Sequence, residues 1–268
     1  MVIDFHAHVF PDKIAERTVG LLEAGSGSRA YSDGRASGLV RRLDEAGADM
    51  AVNLPVLTSP RQFDSVLQFA VELNEAYRKD GRILSFAGIH PDVEDIEGKI
   101  RAVADSGIPG VKIHPDYQGR FINDPRYIKI LECARDAGLV VVTHAGVDAA
   151  FPGEPVKCPP SLALEVIRRV KGVKLVLAHL GGNKMQREVL DTLMGEDVYL
   201  DTALVLKHTP REVFSKMLRR HGEDRILFAT DSPWSGIAED VGIIKSFSLG
   251  KEAEEKILAG NAVRLLGI

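Results

Sequence analysis

The chain has 268 residues, 45% of them hydrophobic and 27% charged, with a formal net charge of −4. That length can bury a full core and fits one α/β barrel domain over residues 1–268. The acidic balance and the lack of a dense Lys/Arg cluster exclude a general nucleic-acid surface. No apolar run is long enough for a membrane span, and the N-terminus does not read as a secretory leader. Two cysteines, Cys133 and Cys158, without CxxC spacing fit a reducing, cytoplasmic setting. Cys133 reads as a small core residue and Cys158, in a proline-rich loop, as unreactive.

The first element is a short apolar strand, residues 2–5, closed by His6-Ala7-His8. Side chains alternate along a strand, so His6 and His8 aim two imidazoles at one point. That suits a zinc-type ion, with a plain surface pair as the alternative. Asp4 shares their parity and is expected to orient them from behind. Residues 25–38 read as an irregular stretch, either a lid or a solvent loop. An apolar strand at 50–54 stops at Pro55. Residues 61–80 repeat Phe63, Val66, Leu67, Ala70, Leu73 and Tyr77 at helical spacing.

Strands at 83–89 and 111–113 flank a helix at 96–104. Pro125 opens a helix over 127–137 that Gly138 closes. Residues 139–143 form a β-branched run typical of a strand buried on both faces. Ser161 is expected to cap the helix that follows, to residue 170. Strand 174–178, helix 185–194, strand 198–201, a helix from Pro210 to about residue 220 and strand 225–230 complete eight units. Helices near Val241 and at 251–259 end the chain, with Asn261 capping the last turn. Eight strand–helix units in order predict a parallel (β/α)8 barrel of one domain, with an open doubly wound sheet as the other solution.

The polar residues gather at strand ends. His6 and His8, His90, His114, His144, His179 and Asp231 each follow a strand. In a parallel barrel these ends share one rim, where such folds carry chemistry. His6, His8, His144 and Asp231 can form a metal site that leaves a position for water, whose pKa falls to about 7. Asp231 can take a proton and return it. His179 is either a ligand of a second ion or a group that polarises a substrate carbonyl. Lys112 shares a face with His114. It can be a salt-bridged structural lysine, an anchor for an anionic substrate, or a carbamylated lysine bridging two ions. His114 reads as a substrate contact, and Tyr117 and Trp234 as pocket-lining or packing residues. His90 is a pocket or turn residue, while His208 and His221 read as surface. Gly181-Gly182 permits a sharp turn after His179.

Ile-Asp-Phe-His-Ala-His-Val-Phe-Pro at the start, Gly-Val-Lys-Ile-His-Pro, Val-Thr-His-Ala-Gly, Leu-Ala-His-Leu-Gly-Gly, Leu-Phe-Ala-Thr-Asp-Ser-Pro-Trp and Ile-Leu-Ala-Gly-Asn-Ala-Val-Arg-Leu-Leu follow in order. Together they make the chain resemble the amidohydrolase superfamily. Within it, the likeness is to the amidohydrolase-related (amidohydrolase 2) family, which includes enzymes similar to aminocarboxymuconate-semialdehyde decarboxylase. The resemblance implies a distorted (β/α)8 TIM barrel with a metal at the C-terminal rim. It puts the ligands on His6, His8, His144 and Asp231, and a catalytic group on His179. Binuclear members carry a glutamate or carbamylated lysine on strand four, whereas decarboxylase-like mononuclear members do not use that position as a ligand. Lys112 fits either pattern, and one ion is the expectation.

The expected activity is metal-dependent hydrolysis of an amide, lactone or ester in a small carboxylated molecule. The alternative is a lyase that decarboxylates or hydrates a small carboxylic acid, and a scaffold with a structural metal comes third. One Zn2+ is expected, though such ligands also accept Mn2+, Fe2+ or Ni2+. The expected partner is a small-molecule substrate, and the architecture is compatible with a homodimer. Substrate choice is assigned to the loops at 25–38, 117–123 and 147–160.

Overall fold

The computed structural model describes all 268 residues. Its strands are β1 (Ile3–Ala7), β2 (Met50–Asn53), β3 (Ile83–Ser85), β4 (Ala87–Gly88), β5 (Gly110–Ile113), β6 (Val140–Thr143), β7 (Lys174–Leu177), β8 (Tyr199–Asp201) and β9 (Ile226–Leu227). All pair in parallel, β1 to β3 in one run and β4 to β9 in the other. The two runs join into a barrel at both ends. On one side β3 and β4 are one bent strand, since the Phe86 N–H donates to Asn53 O while the Ile89 N–H donates to Lys112 O. On the other, Phe5 N–H donates to Phe228 O and Asp231 N–H to His6 O, which seats the chain after β9 against β1. Eight strands therefore close the ring, as the alternation of elements predicts.

The expected strand at 83–89 is broken at Phe86 for a local reason. Asn74 brackets Ser85, accepting from its N–H at 2.5 Å and donating to its carbonyl at 3.0 Å. The Ser85 hydroxyl donates onward to the Phe86 carbonyl. Side chains thus take up hydrogen-bonding groups that a straight strand would give to its neighbours.

The sheet is surrounded by α1 (Asp12–Ser26), α2 (Ala36–Ala46), α3 (Phe63–Ala76), α4 (Ile96–Asp105), α5 (Pro125–Asp136), α6 (Pro160–Arg169), α7 (Gln186–Thr192), α8 (Arg211–His221), α9 (Ile237–Ser246), α10 (Lys251–Glu255) and α11 (Asn261–Leu266). Val141, Leu175 and Leu177 pack with the helices in a cluster of 54 buried residues. Val140, Val142 and Val176 belong instead to a cluster of 14, with Val52, Leu54, Phe86 and Leu227. Alternation along each strand thus separates an outer layer from an inner one. Lys112 lies beside Val142 in the β5–β6 register and so belongs to the inner set. No helix is long and apolar enough to cross a membrane.

Several sequence expectations change. Residues 25–38 are not one irregular loop, because Gly25 lies in the last turn of α1 and Gly38 in the first turns of α2. Ser161 does not cap α6, which begins at Pro160 after an extended Pro159, and its N–H donates to Glu188. Asn261 does not cap a turn either. Its buried amide donates to Glu223 O and Ile226 O, tying α11 to the start of β9. His221 is buried at the end of α8, accepting from Gly195 N–H and donating to Val198 O.

Candidate metal centre

The site grows from the strand ends. In β1 the alternation predicted from sequence brings His6 and His8 together, and Asp231 reaches them from the turn after β9. One ligand atom from each lies within 4.8 Å of the others. His6 Nε2 stands 3.4 Å and His8 Nε2 3.0 Å from Asp231 Oδ1. The backbone at Asp231 is held at φ +65°. That left-handed conformation is disfavoured for a non-glycine residue and is a form of strain that concentrates at functional positions. Its N–H is pinned to His6 O, so strand and ligand are positioned by one contact.

Each histidine is oriented through its other nitrogen. His8 Nδ1 donates to Leu54 O at 2.9 Å. His6 Nδ1 donates to Asp201 Oδ2 at 2.8 Å, deep at the end of β8. Both Nε2 atoms are therefore the ones presented to the shared point, the arrangement that metal-ligating imidazoles use. Asp4 does not do this work, contrary to the expectation from its parity. It accepts from Thr230 N–H at 2.9 Å and Thr230 Oγ1 at 2.5 Å, and so fastens β1 to the chain beyond β9.

Lys112 is fully buried and donates to His6 Nε2 at 2.9 Å. It makes no ion pair within 4.0 Å, which removes the salt-bridged reading. Burial brings its ammonium down to about 8, against the pull of Asp201 and Asp231. Burial and the Lys112 charge push His6 down to about 4, although Asp201 and Asp231 oppose them. Burial alone would raise Asp231, but His6, His8 and His179 outweigh it and hold the carboxyl well below its ordinary range. Neutral imidazole and ionised carboxylate are the forms that a divalent transition ion accepts, so the three donors fit one.

His144, expected in the same set, groups elsewhere. Its Nδ1 lies 3.0 Å from His179 Nε2, and it forms a second cluster with His114 and Asp148. His179 bridges the two groups. Its ring stands 5.6 Å from that of His6, and its Nδ1 donates to Ala203 O. His179 and Leu180 both have positive φ, 59° and 55°, and the His179 N–H donates to Asp201 Oδ1. The turn that follows is locked to the β6 exit, because Asn183 N–H donates to Ala145 O and Val147 N–H to Asn183 O. A Cβ at Gly146 would collide with the Asn183 backbone, so that close approach requires glycine.

Among the expected substrate contacts, His114 stacks on His144 with centroids 4.3 Å apart, and Tyr117 packs edge-on to His114 and Phe151. Trp234 is half-buried in the turn whose N–H returns to Asp231 O. His90 is a turn residue accepting from Asp92 N–H, and His208 is exposed. Cys158 is fully buried, with burial raising its thiol.

Asp201 and Asp148 were not singled out from the sequence. Asp201 ends a strand and so carried the same signal as the histidines. Asp148 sits in an irregular loop and carried none.

The sequence matches the family described as Amidohydrolase over residues 3–268, and the chain belongs to that family of metal-dependent enzymes. Solved structures share the whole barrel at low identity. 5-Carboxyvanillate decarboxylase from Sphingomonas paucimobilis superposes with a TM-score of 0.69 at 17% identity, covering 100% of this chain and 99% of its own. A dihydroxybenzoic acid decarboxylase from a Polaromonas species, with bound manganese and the inhibitor 2-nitroresorcinol, gives 0.74 at 16%, covering 99% and 96%. An uncharacterized TIM-barrel protein from Bordetella bronchiseptica gives 0.75 at 18%, covering 99% and 98%. No curated protein matches the sequence.

Proposed function

We propose that this amidohydrolase-family chain is a divalent-metal-dependent lyase that releases carbon dioxide from a small hydroxylated aromatic acid. The observation that carries the reading is the convergence of His6 Nε2, His8 Nε2 and Asp231 Oδ1 beside the buried ammonium of Lys112. It offers two positive centres, the ion and Lys112, to a substrate with a carboxylate and a neighbouring oxygen. The full-length likeness to solved decarboxylases supports a lyase, and this reverses the order expected from sequence, where hydrolysis came first.

In this reading His6, His8 and Asp231 hold the ion, which when bound supplies Lewis acidity toward the carboxylate and hydroxyl. Manganese suits this donor set as well as zinc does, and a manganese-bound relative makes it the first ion to test. Asp201 fixes the His6 ring through Nδ1, and Leu54 O does the same for His8. Lys112 pairs with the substrate carboxylate at the inner end of the site. Asp231 receives the hydroxyl proton and delivers it to the ring carbon as the carbon–carbon bond breaks. His179 is held between Ala203 O and His144 beside these groups.

The test is a product assay on manganese-loaded protein with a panel of ortho-hydroxybenzoates, lactones and amides. Carbon dioxide release from the hydroxybenzoates, abolished by chelation, is expected. Lactone or amide opening without carbon dioxide would replace this reading with the hydrolytic one.

A further inference from the structure

The segment between α1 and α2, residues 27–35, is tied to both strand exits that carry the proposed ligands. Phe10 N–H, two residues beyond His8, donates to Gly34 O at 2.8 Å. Tyr31 N–H donates at 2.7 Å to Pro233 O, two residues beyond Asp231. Gly34 has φ +72°, and a Cβ there would strike Val19 and crowd the Phe10 ring, so the crossing requires glycine. One short strap thus bridges two ligands that lie 223 residues apart in the chain.

The Tyr31 side chain draws in a third strand exit. Lys207 lies in a 3-10 turn, Leu206–His208, beyond β8, the strand that ends in Asp201. Its ammonium donates to Tyr31 Oη at 3.1 Å and pairs with Glu239 Oε2 at 2.6 Å. The Tyr31 hydroxyl donates in turn to Glu239 Oε2 at 3.4 Å, so each of the three groups meets the other two. The bond from Lys207 holds the Glu239 carboxyl below its ordinary range. Glu239 stands in the first turn of α9, and the Tyr31 ring lies against the start of that helix. A Cβ at Gly236 would stand only 3.2 Å from Tyr31 Cε1. A single exposed ion pair contributes little to stability. This triangle matters for its place, since it joins the strap to the segments that follow β8 and β9.

We propose that Tyr31, Lys207 and Glu239 form a latch that positions His8 and Asp231 for the metal ion. In the latched structure His8 Nε2 and Asp231 Oδ1 stand 3.0 Å apart. Two donors about 2.1 Å from one ion, at a right angle, are separated by about 3.0 Å. The latch holds that spacing from outside the site, through the bonds of the strap to Phe10 and Pro233. The three are positioning residues, and the inference rests on the ion site of the proposed function but not on its chemistry. The coupling is reciprocal: whatever the closed latch adds to metal affinity, the bound ion adds to closure of the latch.

The test reads both directions on the full chain, with manganese as the probe. Competitive chelation gives the manganese affinity of wild type, Lys207→Met, Tyr31→Phe and Lys207→Arg. Lys207→Met should weaken binding about 3–5-fold, the scale of one ion pair, and Tyr31→Phe about 2-fold or more. Lys207→Arg keeps donors for both partners and should restore the wild-type value. Melts of the chelated forms are read alongside, with His221→Ala as a destabilised variant outside the latch. In the other direction, trypsin cleavage after the exposed Arg29 reports opening of the strap. Cleavage after the exposed Lys79, at the opposite end of the barrel, is the reference. Manganese should slow the Arg29 cut relative to the Lys79 cut in wild type, and should do so less in Lys207→Met.

Equal manganese affinity in wild type and Lys207→Met would overturn the latch and leave the ion site standing. The latch also falls if His221→Ala loses as much affinity as Lys207→Met, or if manganese leaves the relative Arg29 cleavage of wild type unchanged. No manganese bound by wild type would overturn the ion site and the latch with it. Should Lys207→Met fail to fold, Tyr31→Phe decides the point by the same comparisons.

Discussion

Asp4 and Asp201 are both fully buried carboxylic acids at the strands around the barrel seam, yet their surroundings shift their acidities in opposite directions. Asp4 meets only neutral donors, the N–H groups of Thr230 and His6 and the Thr230 hydroxyl. Burial outweighs those three bonds and lifts Asp4 to about 7. Asp201 is equally buried, but His6 beside it, with His179 and Lys112 nearby, pulls its carboxyl below the usual range. Burial sets the cost of charge, and the partners decide whether it is met. The seam at Asp4 is thus a structural fastening, while the rim at Asp201 is an electrostatic scaffold for ligands.

The comparison can be broken or sharpened by substitution. Asp231→Asn removes a proposed ligand and proton carrier, and should lower turnover about 10²–10⁴-fold beyond the loss of bound ion. Steady-state kinetics at saturating manganese read this effect.

Asp4→Asn should leave metal binding intact and change the pH dependence of stability. The folded pKa of Asp4, about 7, lies above its ordinary value of 3.8. The folded chain therefore holds that proton more tightly, and the contribution fades as pH rises from about 4 to 7. At about 1.4 kcal/mol per pH unit, wild type should lose up to about 4 kcal/mol over that window. Asp4→Asn should flatten that part of the profile, as denaturant melts of chelated protein at stepped pH would show.

Asp201→Asn should weaken metal binding about 10–100-fold by releasing the His6 ring, while the seam stays closed. Competitive chelation measures it.

His221→Ala, at the end of α8, gives the smallest effect. It leaves Val198 O and Gly195 N–H without their partner, for about 1–3 kcal/mol of stability and no change in bound metal. Thermal melts and elemental analysis together check it.

Much of this was legible in the sequence because barrel strands are short, apolar and periodic. The rule that chemistry sits at strand ends located His6, His8, His114, His144, His179 and Asp231 on one rim. The same rule applied to Leu200-Asp201 would have found the His6 partner. What stayed hidden depended on tertiary geometry. The parity of Asp4 matched the ligands, but closure of the barrel put Thr230 beside it. The direction of the His144 ring is set by His179, whose left-handed backbone no local pattern announces. The helices α1 and α2 were obscured because glycine and serine crowd the turn between them. Asp148 joins the rim only because the loop carrying it is tied to Asn183.

The central claim is that the ion sits among His6, His8 and Asp231. Anomalous diffraction from manganese-loaded crystals tests it most directly. The account predicts a peak within bonding distance of His6 Nε2, His8 Nε2 and Asp231 Oδ1, with Lys112 Nζ displaced from His6. Saturated crystals with no peak at that point, and Lys112 still hydrogen-bonded to His6, would contradict it.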